Sequence, residues 1–410
     1  MFSIFIKTFG CTLNQRDSLD IIKDISITYS EKLANIIIIN TCGVKEQTEI
    51  KIYKYIRDNL KDLKNKEIII TGCLVDIDSS KLKELLPKAK MFGIKDKPKL
   101  LKYLDQYRIK KNNKEKLEIS KIIIIANGCL GNCSYCAVKF ARGKLKSKTI
   151  EQITKEIKEA LANGTKEILL TAQDTGCYGV DINTNIGELL KEATLISGQF
   201  KIRLGMGNPQ HFKNYKKEIV NAMKSEKMYK FLHVPLQSGN DEILRKMNRY
   251  YSVKEYLDLI NYFKKNIKGL TVATDVIVGF PTETDKQFKD TLKIIEKCNF
   301  DMVNISRFGQ RKNVEANNYK DLPGEIKKER SRITTELCFK IALKNNKTQI
   351  GKTKEIIIVE KGKNNTWMGR TNEYSAVIVS TPFKLGQITK CKIIDAKRGY
   401  LIGTVNLIKS

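Results

Sequence analysis

The sequence predicts an α/β chain in three parts: a doubly wound parallel sheet, a partial (βα)6 barrel, and a small antiparallel β-barrel. Three observations carry that expectation. Apolar, β-rich runs alternate with helical segments through most of the 410 residues. Each run ends in a glycine or a polar residue. After about Gly351 the pattern changes to short alternating strands punctuated by Gly, Asn and Pro. A chain of this length buries a sizeable core and divides into two or three domains.

The first part is written in the runs "FSIFIKTFGC", "ANIIIINTCG" and "EIIITGCL". Each closes on a cysteine, Cys11, Cys42 and Cys73, and the two intervals are both 31 residues. Helical segments such as "VKEQTEIKIYKYIRDNLKDLK" lie between them. In parallel sheets of this kind ligands gather beyond the carboxyl ends of the strands, where all three cysteines fall. Residues 106–120, "QYRIKKNNKEKLEIS", are polar and charged and read as a linker.

Beyond the linker the pattern of strand and loop returns six times, in "KIIIIANG", "EILLTAQD", "KIRLGMGN", "KFLHVPLQ", "TVATDVIVG" and "DMVNISRF". The starts are about 30 to 46 residues apart, which suits right-handed βα units. Six units fall short of a closed eightfold barrel, so an open one is expected. The tail runs "KEIIIVEKG", "SAVIVST", "QITKCKIIDAK" and "YLIGTVNL" indicate a β-barrel appended beyond that core.

Composition narrows the function. Seventy-five Lys and Arg against 45 acidic residues give a formal charge of +30, which favours a polyanionic partner, nucleic acid before membrane lipid. Ten cysteines in so long a chain are too few for a disulfide scaffold. The start, "MFSIFIKTFG", has no signal-peptide pattern, and no run of about 18 apolar residues predicts a membrane span. A cytoplasmic protein with reduced thiols and no membrane partner is expected.

The sharpest motif is "ANGCLGNCSYCAVKFARG", which holds Cys129, Cys133 and Cys136 in C-x3-C-x2-C spacing. A zinc site completes four ligands, but the two histidines, His211 and His233, are distant in sequence. Three thiolates instead suit a [4Fe–4S] cube with one iron left for an exogenous ligand. In radical S-adenosylmethionine enzymes that ligand is the methionine moiety of the cofactor. Cys177, Cys298, Cys338 and Cys391 have no partner at metal spacing and read as small apolar residues.

On "TFGCTLNQRDS", "NTCGVKEQTE", "GCLGNCSYC", "FARGKL", "HVPLQSGNDEILRKMNR", "TDVIVGFPTET" and "MGRTNEYSAVIV" the chain resembles the methylthiotransferase family over nearly its whole length. The stretch "CLGNCSYCAVKFARG" is most similar to the archaeal and eukaryotic branch acting on N6-threonylcarbamoyladenosine in tRNA. The resemblance implies a methylthiotransferase N-terminal domain over 1–108, a radical S-adenosylmethionine core over 120–348 and a TRAM RNA-binding domain over 349–410. It implies two [4Fe–4S] clusters, an auxiliary one on Cys11, Cys42 and Cys73 and a radical one on Cys129, Cys133 and Cys136.

The implied reaction is methylthiolation at C2 of the adenine next to the anticodon. The implied partners are the tRNA anticodon stem-loop, an electron donor such as ferredoxin or flavodoxin, and a sulfur donor. No catalytic group is implied beyond the cluster ligands. Strand-end loops nominate Gln173, Asp174, Asn208, Gln237, Ile277 and Gly279 for the cofactor. In the tail, Lys352, Lys354, Lys361, Lys363 and Arg370 are nominated for RNA phosphates. The chain departs from the family at residues 309–314, "GQRKNV", where relatives often read Ser-x-Arg-x-Gly-Thr. The alternatives are another acceptor (isopentenyladenosine or a ribosomal-protein aspartate) or a non-catalytic iron–sulfur RNA-binding protein.

Overall fold

The computed structural model describes residues 3–23, 25–44, 46–108 and 118–405. The centre of the expected linker, residues 109–117, lies outside them. The chain divides into two compact units. One draws on Met1–Glu115, Asn127–Lys146 and Gly309–Tyr319, the other on Lys116–Ala126, Ser147–Phe308 and Lys320–Ser410. No helix among the described residues is long and apolar enough to cross a membrane.

The first unit is built on β1 (Ile4–Thr8), α1 (Thr12–Ile21), β2 (Ile36–Thr41), α2 (Glu46–Asp58), α3 (Leu60–Lys64), β3 (Glu67–Gly72), α4 (Cys73–Ile77), α5 (Ser80–Leu85), β4 (Lys90–Phe92) and α6 (Lys97–Leu104). Its four strands are parallel, in the order β1-β2-β3-β4. The isoleucine runs are continuous because both faces are covered. Ile37, Ile39 and Ile70 meet Ile52, Tyr53 and Ile56 of α2 on one face. Ile36, Ile38 and Ile69 meet Ile21 of α1 and Leu100 and Leu104 of α6 on the other. A parallel bridge from Ile4 to Ile27 adds a short rung on the outer side of β1. The chain therefore runs outward from β1 and then reverses to β2, so a topological switch point lies between those two strands.

Two short strands, β6 (Ala126–Asn127) and β7 (Lys146–Ser147), bracket the C-x3-C-x2-C loop, which follows β5 (Ser120–Ile124) and contains α7 (Val138–Arg142). The second unit continues with α8 (Ile150–Ala162), β8 (Glu167–Thr171), α9 (Ile186–Leu195), β9 (Lys201–Leu204), α10 (Pro209–Phe212), α11 (Lys216–Met223), β10 (Phe231–His233) and α12 (Asp241–Lys246). It ends its α/β part with α13 (Val253–Asn266), β11 (Thr271–Val278), α14 (Asp285–Cys298), β12 (Met302–Arg307) and α15 (Gly324–Lys347). Capping boxes at Thr149/Gln152, Ser252/Glu255 and Thr284/Gln287 start α8, α13 and α14. Parallel ladders β5-β8-β9 and β10-β11-β12 are joined by the Ile202–Met228 bridge and by Gly207 N–H donating to His233 O at 3.0 Å. No ladder closes β12 onto β5 among the described residues, which gives the expected open barrel.

The tail folds as a closed barrel of β13 (Thr353–Lys361), β14 (Trp367–Thr371), β15 (Ala376–Val379), β16 (Ile388–Ala396) and β17 (Leu401–Thr404), in the order β13-β14-β15-β17-β16. Four pairings are antiparallel, and β15 with β17 is parallel. The tail is also seated on the α/β barrel through the turn between β14 and β15. Tyr374 lies there with its ring centroid 4.9 Å from Tyr229 and 5.0 Å from Phe231, at the starting ends of the strands. Arg203 stacks on both Phe231 and Tyr374, and Lys201 Nζ donates to Asn372 Oδ1 at 2.8 Å.

Tyr374 holds a φ of 64°, in the left-handed region that disfavours a bulky side chain. Packing of its ring outweighs that strain. Tyr374→Ala should therefore destabilise the metal-free protein by about 2–4 kcal/mol, as for other aromatic truncations in packed sites. The check is a thermal melt, and an unchanged midpoint would mean that the packed Tyr374 turn contributes nothing to stability.

Candidate functional site

Cys42 and Cys73 immediately follow β2 and β3, and Cys11 follows β1 by three residues. The approach to Cys11 is set by Gly10, whose φ is 105°. A Cβ on Gly10 would lie 2.5 Å from Cys42 Cβ and 2.8 Å from Cys42 Sγ, so only glycine lets the two segments meet. Cys42 and Cys73 are buried and Cys11 is exposed. Burial pushes the Cys73 thiol up to about 11, with Arg142 opposing and the Cys42 and Cys11 sulfurs adding. All three cysteines follow the carboxyl ends of neighbouring parallel strands. They do so at the switch point, where such sheets bind ligands.

The second triad lies in the loop between β6 and β7. Gly128 has a φ of 77°, and a Cβ there would run into the backbone of Lys144, so glycine keeps the loop closed. A Cβ on Gly131 would lie 3.3 Å from Cys129 Sγ and 3.7 Å from Cys133 Sγ, so both sulfurs are gathered on one side of that residue. Gly131 N–H donates to Cys129 Sγ at 3.2 Å. Cys133 O accepts from Cys136 N–H at 3.1 Å, which turns the chain back.

The two triads share one core in the first unit. Ala137 and Ala141, one helical turn apart, pack with Cys73 and Ile77 of α4 and with Val314. The departing loop at residues 309–314 is thus a clamp, whatever its sequence. Arg311 Nε donates to Gly43 O at 3.1 Å, and Ala316 N–H donates to Ser134 O at 2.8 Å. Arg142, Asp17 and Asn14 also meet beside Cys73. None of these partners is visible from cysteine spacing. The available signal was the presence of Asn14 and Asp17 on the helix directly after Cys11, and of Arg142 on the helix directly after Cys136.

The nominated cofactor residues all lie at strand ends of the second unit. Gln173 is the most telling. Both polar atoms of its side-chain amide are buried and have no hydrogen-bond partner. Leaving a donor and an acceptor unpaired is costly unless a ligand takes them up. Asp174 has both oxygens engaged: Oδ1 accepts from Gly176 N–H and Asn208 N–H at 2.9 Å each, and Oδ2 lies 2.7 Å from His211 Nδ1. Asn208 Oδ1 accepts from Arg249 at 2.8 Å.

Asp174, Cys177 and His211 bring ligand atoms within 4.8 Å of one another, but the bonding of Asp174 marks them as a buttress for the strand ends. Gln237 holds a φ of 65° in a bridge to Val276 and is almost wholly buried. Ile277 is partly buried on β11. Gly279 is required by its φ of 69° and by the Lys327 side chain, which occupies the space of a Cβ.

In the tail, Lys352, Lys361 and Lys363 are exposed. Lys354 is paired with Glu373 at 2.8 Å, and Arg370 stacks on Tyr374 at 4.5 Å. Those two hold the Tyr374 turn.

An open six-stranded α/β barrel whose first strand leads into C-x3-C-x2-C defines a radical S-adenosylmethionine protein. Family models agree along the chain: the uncharacterized protein family UPF0004 over residues 3–93, the radical SAM superfamily over 123–295 and the TRAM domain over 347–405. The chain is 38% identical to a "Probable threonylcarbamoyladenosine tRNA methylthiotransferase" of Archaeoglobus fulgidus, over 98% of each protein. A protein of the same name from Pyrococcus horikoshii is 36% identical over 99% of this chain and 100% of its own. A "tRNA-2-methylthio-N(6)-dimethylallyladenosine synthase" of Clostridium botulinum is 32% identical over 97% and 96%. The chain belongs to the methylthiotransferase family, in its archaeal branch. In fold it resembles the radical S-adenosylmethionine methyltransferase TsrM of Kitasatospora setae, with a TM-score of 0.57 over 77% of this chain and 76% of that one at 12% identity.

The burial difference within the first triad predicts an order of alkylation. A thiol raised from 9.0 to about 11 carries about a hundredfold less thiolate at pH 8. In the metal-free chain, iodoacetamide should label exposed Cys11 well before Cys73, as read by peptide mass spectrometry. Equal rates would contradict the buried placement of Cys73.

Proposed function

We propose that the protein is a tRNA-modifying enzyme that places a methylthio group on C2 of N6-threonylcarbamoyladenosine beside the anticodon, at tRNA position 37. The single observation that carries this reading is the pair of cysteine triads built into one compact unit, each offering three sulfur ligands. When bound, two [4Fe–4S] clusters and S-adenosylmethionine supply the electron, the hydrogen-abstracting radical and the methylthio group. Cys129, Cys133 and Cys136 would hold the radical cluster, and Cys11, Cys42 and Cys73 the auxiliary one.

The protein's own residues bind, orient and shield. The buried amide of Gln173 offers a donor and an acceptor, which fits polar groups of the cofactor. Asp174, His211, Asn208 and Arg249 hold the neighbouring strand ends in place. Residues 1–108, 120–348 and 349–410 then serve as auxiliary-cluster, radical and RNA-binding segments. The acceptor follows the archaeal relatives, and the net charge of +30 suits RNA better than a ribosomal protein. An electron donor such as ferredoxin or flavodoxin, a sulfur donor and a cytoplasmic location complete the reading.

Anaerobic reconstitution should load about eight irons per chain, as two cubane clusters require. Changing Cys129, Cys133 and Cys136 together to Ala should halve the iron and abolish 5′-deoxyadenosine formation. Changing Cys11, Cys42 and Cys73 should stop methylthiolation while deoxyadenosine formation survives. Zinc in place of iron would refute the assignment. Mass spectrometry of tRNA nucleosides from a deletion strain tests the acceptor, and persistence of the methylthio-threonylcarbamoyl nucleoside would exclude it.

Exposed Lys352, Lys361 and Lys363 are assigned to RNA phosphates. Replacing all three by Ala should reduce the slope of log affinity against log salt by about two to three, since each phosphate contact contributes roughly 0.7–0.9. Filter binding of tRNA across a salt series reads this, and an unchanged slope would place the RNA elsewhere.

A further inference from the structure

Arg142 puts a permanent charge in the interior of the first unit. It ends α7, the helix that begins two residues after Cys136, and its side chain is only 3% exposed. One arm donates to Asp17 Oδ2 at 2.7 Å and to Asn14 Oδ1 at 3.0 Å, and the other reaches Asn127 Oδ1 at 3.5 Å. Asn14 Oδ1 also accepts from Cys73 Sγ at 3.8 Å, so guanidinium and thiol converge on one oxygen. Burial works against the charge on Arg142, but Cys73 and Asp17 outweigh it and hold the group more basic than usual.

Asp17 does not cancel that charge alone, because Lys97 Nζ lies 3.1 Å from its other oxygen and 2.9 Å from Asp20. Two cations share Asp17. Part of the Arg142 charge is therefore left to act on the sulfur beside it, in surroundings where screening is weak. A buried guanidinium is expensive to desolvate and is kept only with partners. A simple prop between helices would need no charge.

We propose that Arg142 is a positioning residue whose fixed positive charge, held against Cys73 by Asp17 and Asn14, sets the reduction potential of a cluster bound by Cys11, Cys42 and Cys73. The inference rests on the reading of those three cysteines as cluster ligands. A thiolate-bound cube becomes more negative by one charge on one-electron reduction, so a nearby cation stabilises the reduced form more than the oxidised form. The guanidinium stays protonated throughout the physiological range, so its effect does not vary with pH there. It thereby links the helix that follows the radical triad to the redox poise of the auxiliary triad.

The test uses the full-length chain with Cys129, Cys133 and Cys136 changed to Ala, so that a single cluster titrates with dithionite under electron paramagnetic resonance. Arg142→Gln should move the midpoint to a more negative value, and Arg142→Lys should recover part of that shift. Asp17→Asn removes an anion while keeping an oxygen for Arg142, and should move the midpoint the other way. A structural prop would instead move both variants together or leave both unchanged. Shifts of the same sign, or an iron-replete Arg142→Gln protein with the parental midpoint, overturn the proposal. If Arg142→Gln loses its iron, Asp17→Asn decides alone, and a midpoint equal to or below the parental one overturns it. A parental protein that binds no cluster in this background refutes the ligand assignment itself, and the proposal with it.

Discussion

The parallel register of β1, β2 and β3 is the constraint on which the cysteine chemistry depends. Thr41 pairs with Gly72 at the end of the ladder, so Cys42 and Cys73 leave their strands side by side. A slip of one residue would turn alternate side chains to the opposite face and separate the sulfurs. Buried polar groups pin that register at its upper end. Asn40 Nδ2 donates to Asn14 O at 2.8 Å and to Ser18 Oγ at 2.7 Å, and Thr41 Oγ1 donates to Thr71 O at 2.6 Å. The network ties α1 to the strand ends that carry the triad, while leaving the buried Asn40 Oδ1 without a partner among the described residues.

From that edge the packing reaches the second triad through small side chains. Ala137 and Ala141 let α7 approach α4 closely, and Val314 closes the gap from a third segment. A core packed to this density responds to changes of a single methylene. The two triads are therefore parts of one packing problem, although they are separated by more than fifty residues of sequence. The loop at residues 309–314 is anchored in this chain by one arginine, Arg311 on Gly43 O, and one valine, Val314 in the core with α4.

The parts of the fold that were legible in the sequence are those in which local pattern and tertiary surroundings agree. The isoleucine runs announce strands covered on both faces, and β8, β9, β11 and β12 end at or directly before a glycine or polar residue. The strand Trp367–Thr371 was missed because Gly369 interrupts its alternation; that glycine makes room for Ile356. The parallel pairing of β15 with β17 depends on strand order in space, which no local pattern encodes. The seating of the tail was hidden for a similar reason. "TNEYS" reads as an exposed turn, and only Tyr229 and Phe231, more than 140 residues earlier, make Tyr374 a packed residue. Among candidate site residues the six cysteines stand out by their spacing. Lys354 and Arg370 look like any basic surface residue until Glu373 and Tyr374 are placed beside them.

The same excess of positive charge serves three purposes, and surroundings decide which. Lys66 Nζ donates to the carbonyls of Glu31, Lys32 and Ala34 at 2.7–2.8 Å, and Lys227 and Lys230 cap carbonyls at the ends of α9 and α11. These lysines tie backbone together and leave little for a partner. Exposed lysines such as Lys363 act through water, where attraction fades beyond roughly 8 Å at physiological ionic strength. Arg142 acts where screening is weak, on sulfur in contact with its own partners. Salt therefore separates the roles physically. Added ions weaken the attraction of exposed lysines for any polyanion, while the field of a buried guanidinium at the neighbouring sulfur persists, so the two kinds of charge respond differently to ionic strength on one highly charged chain.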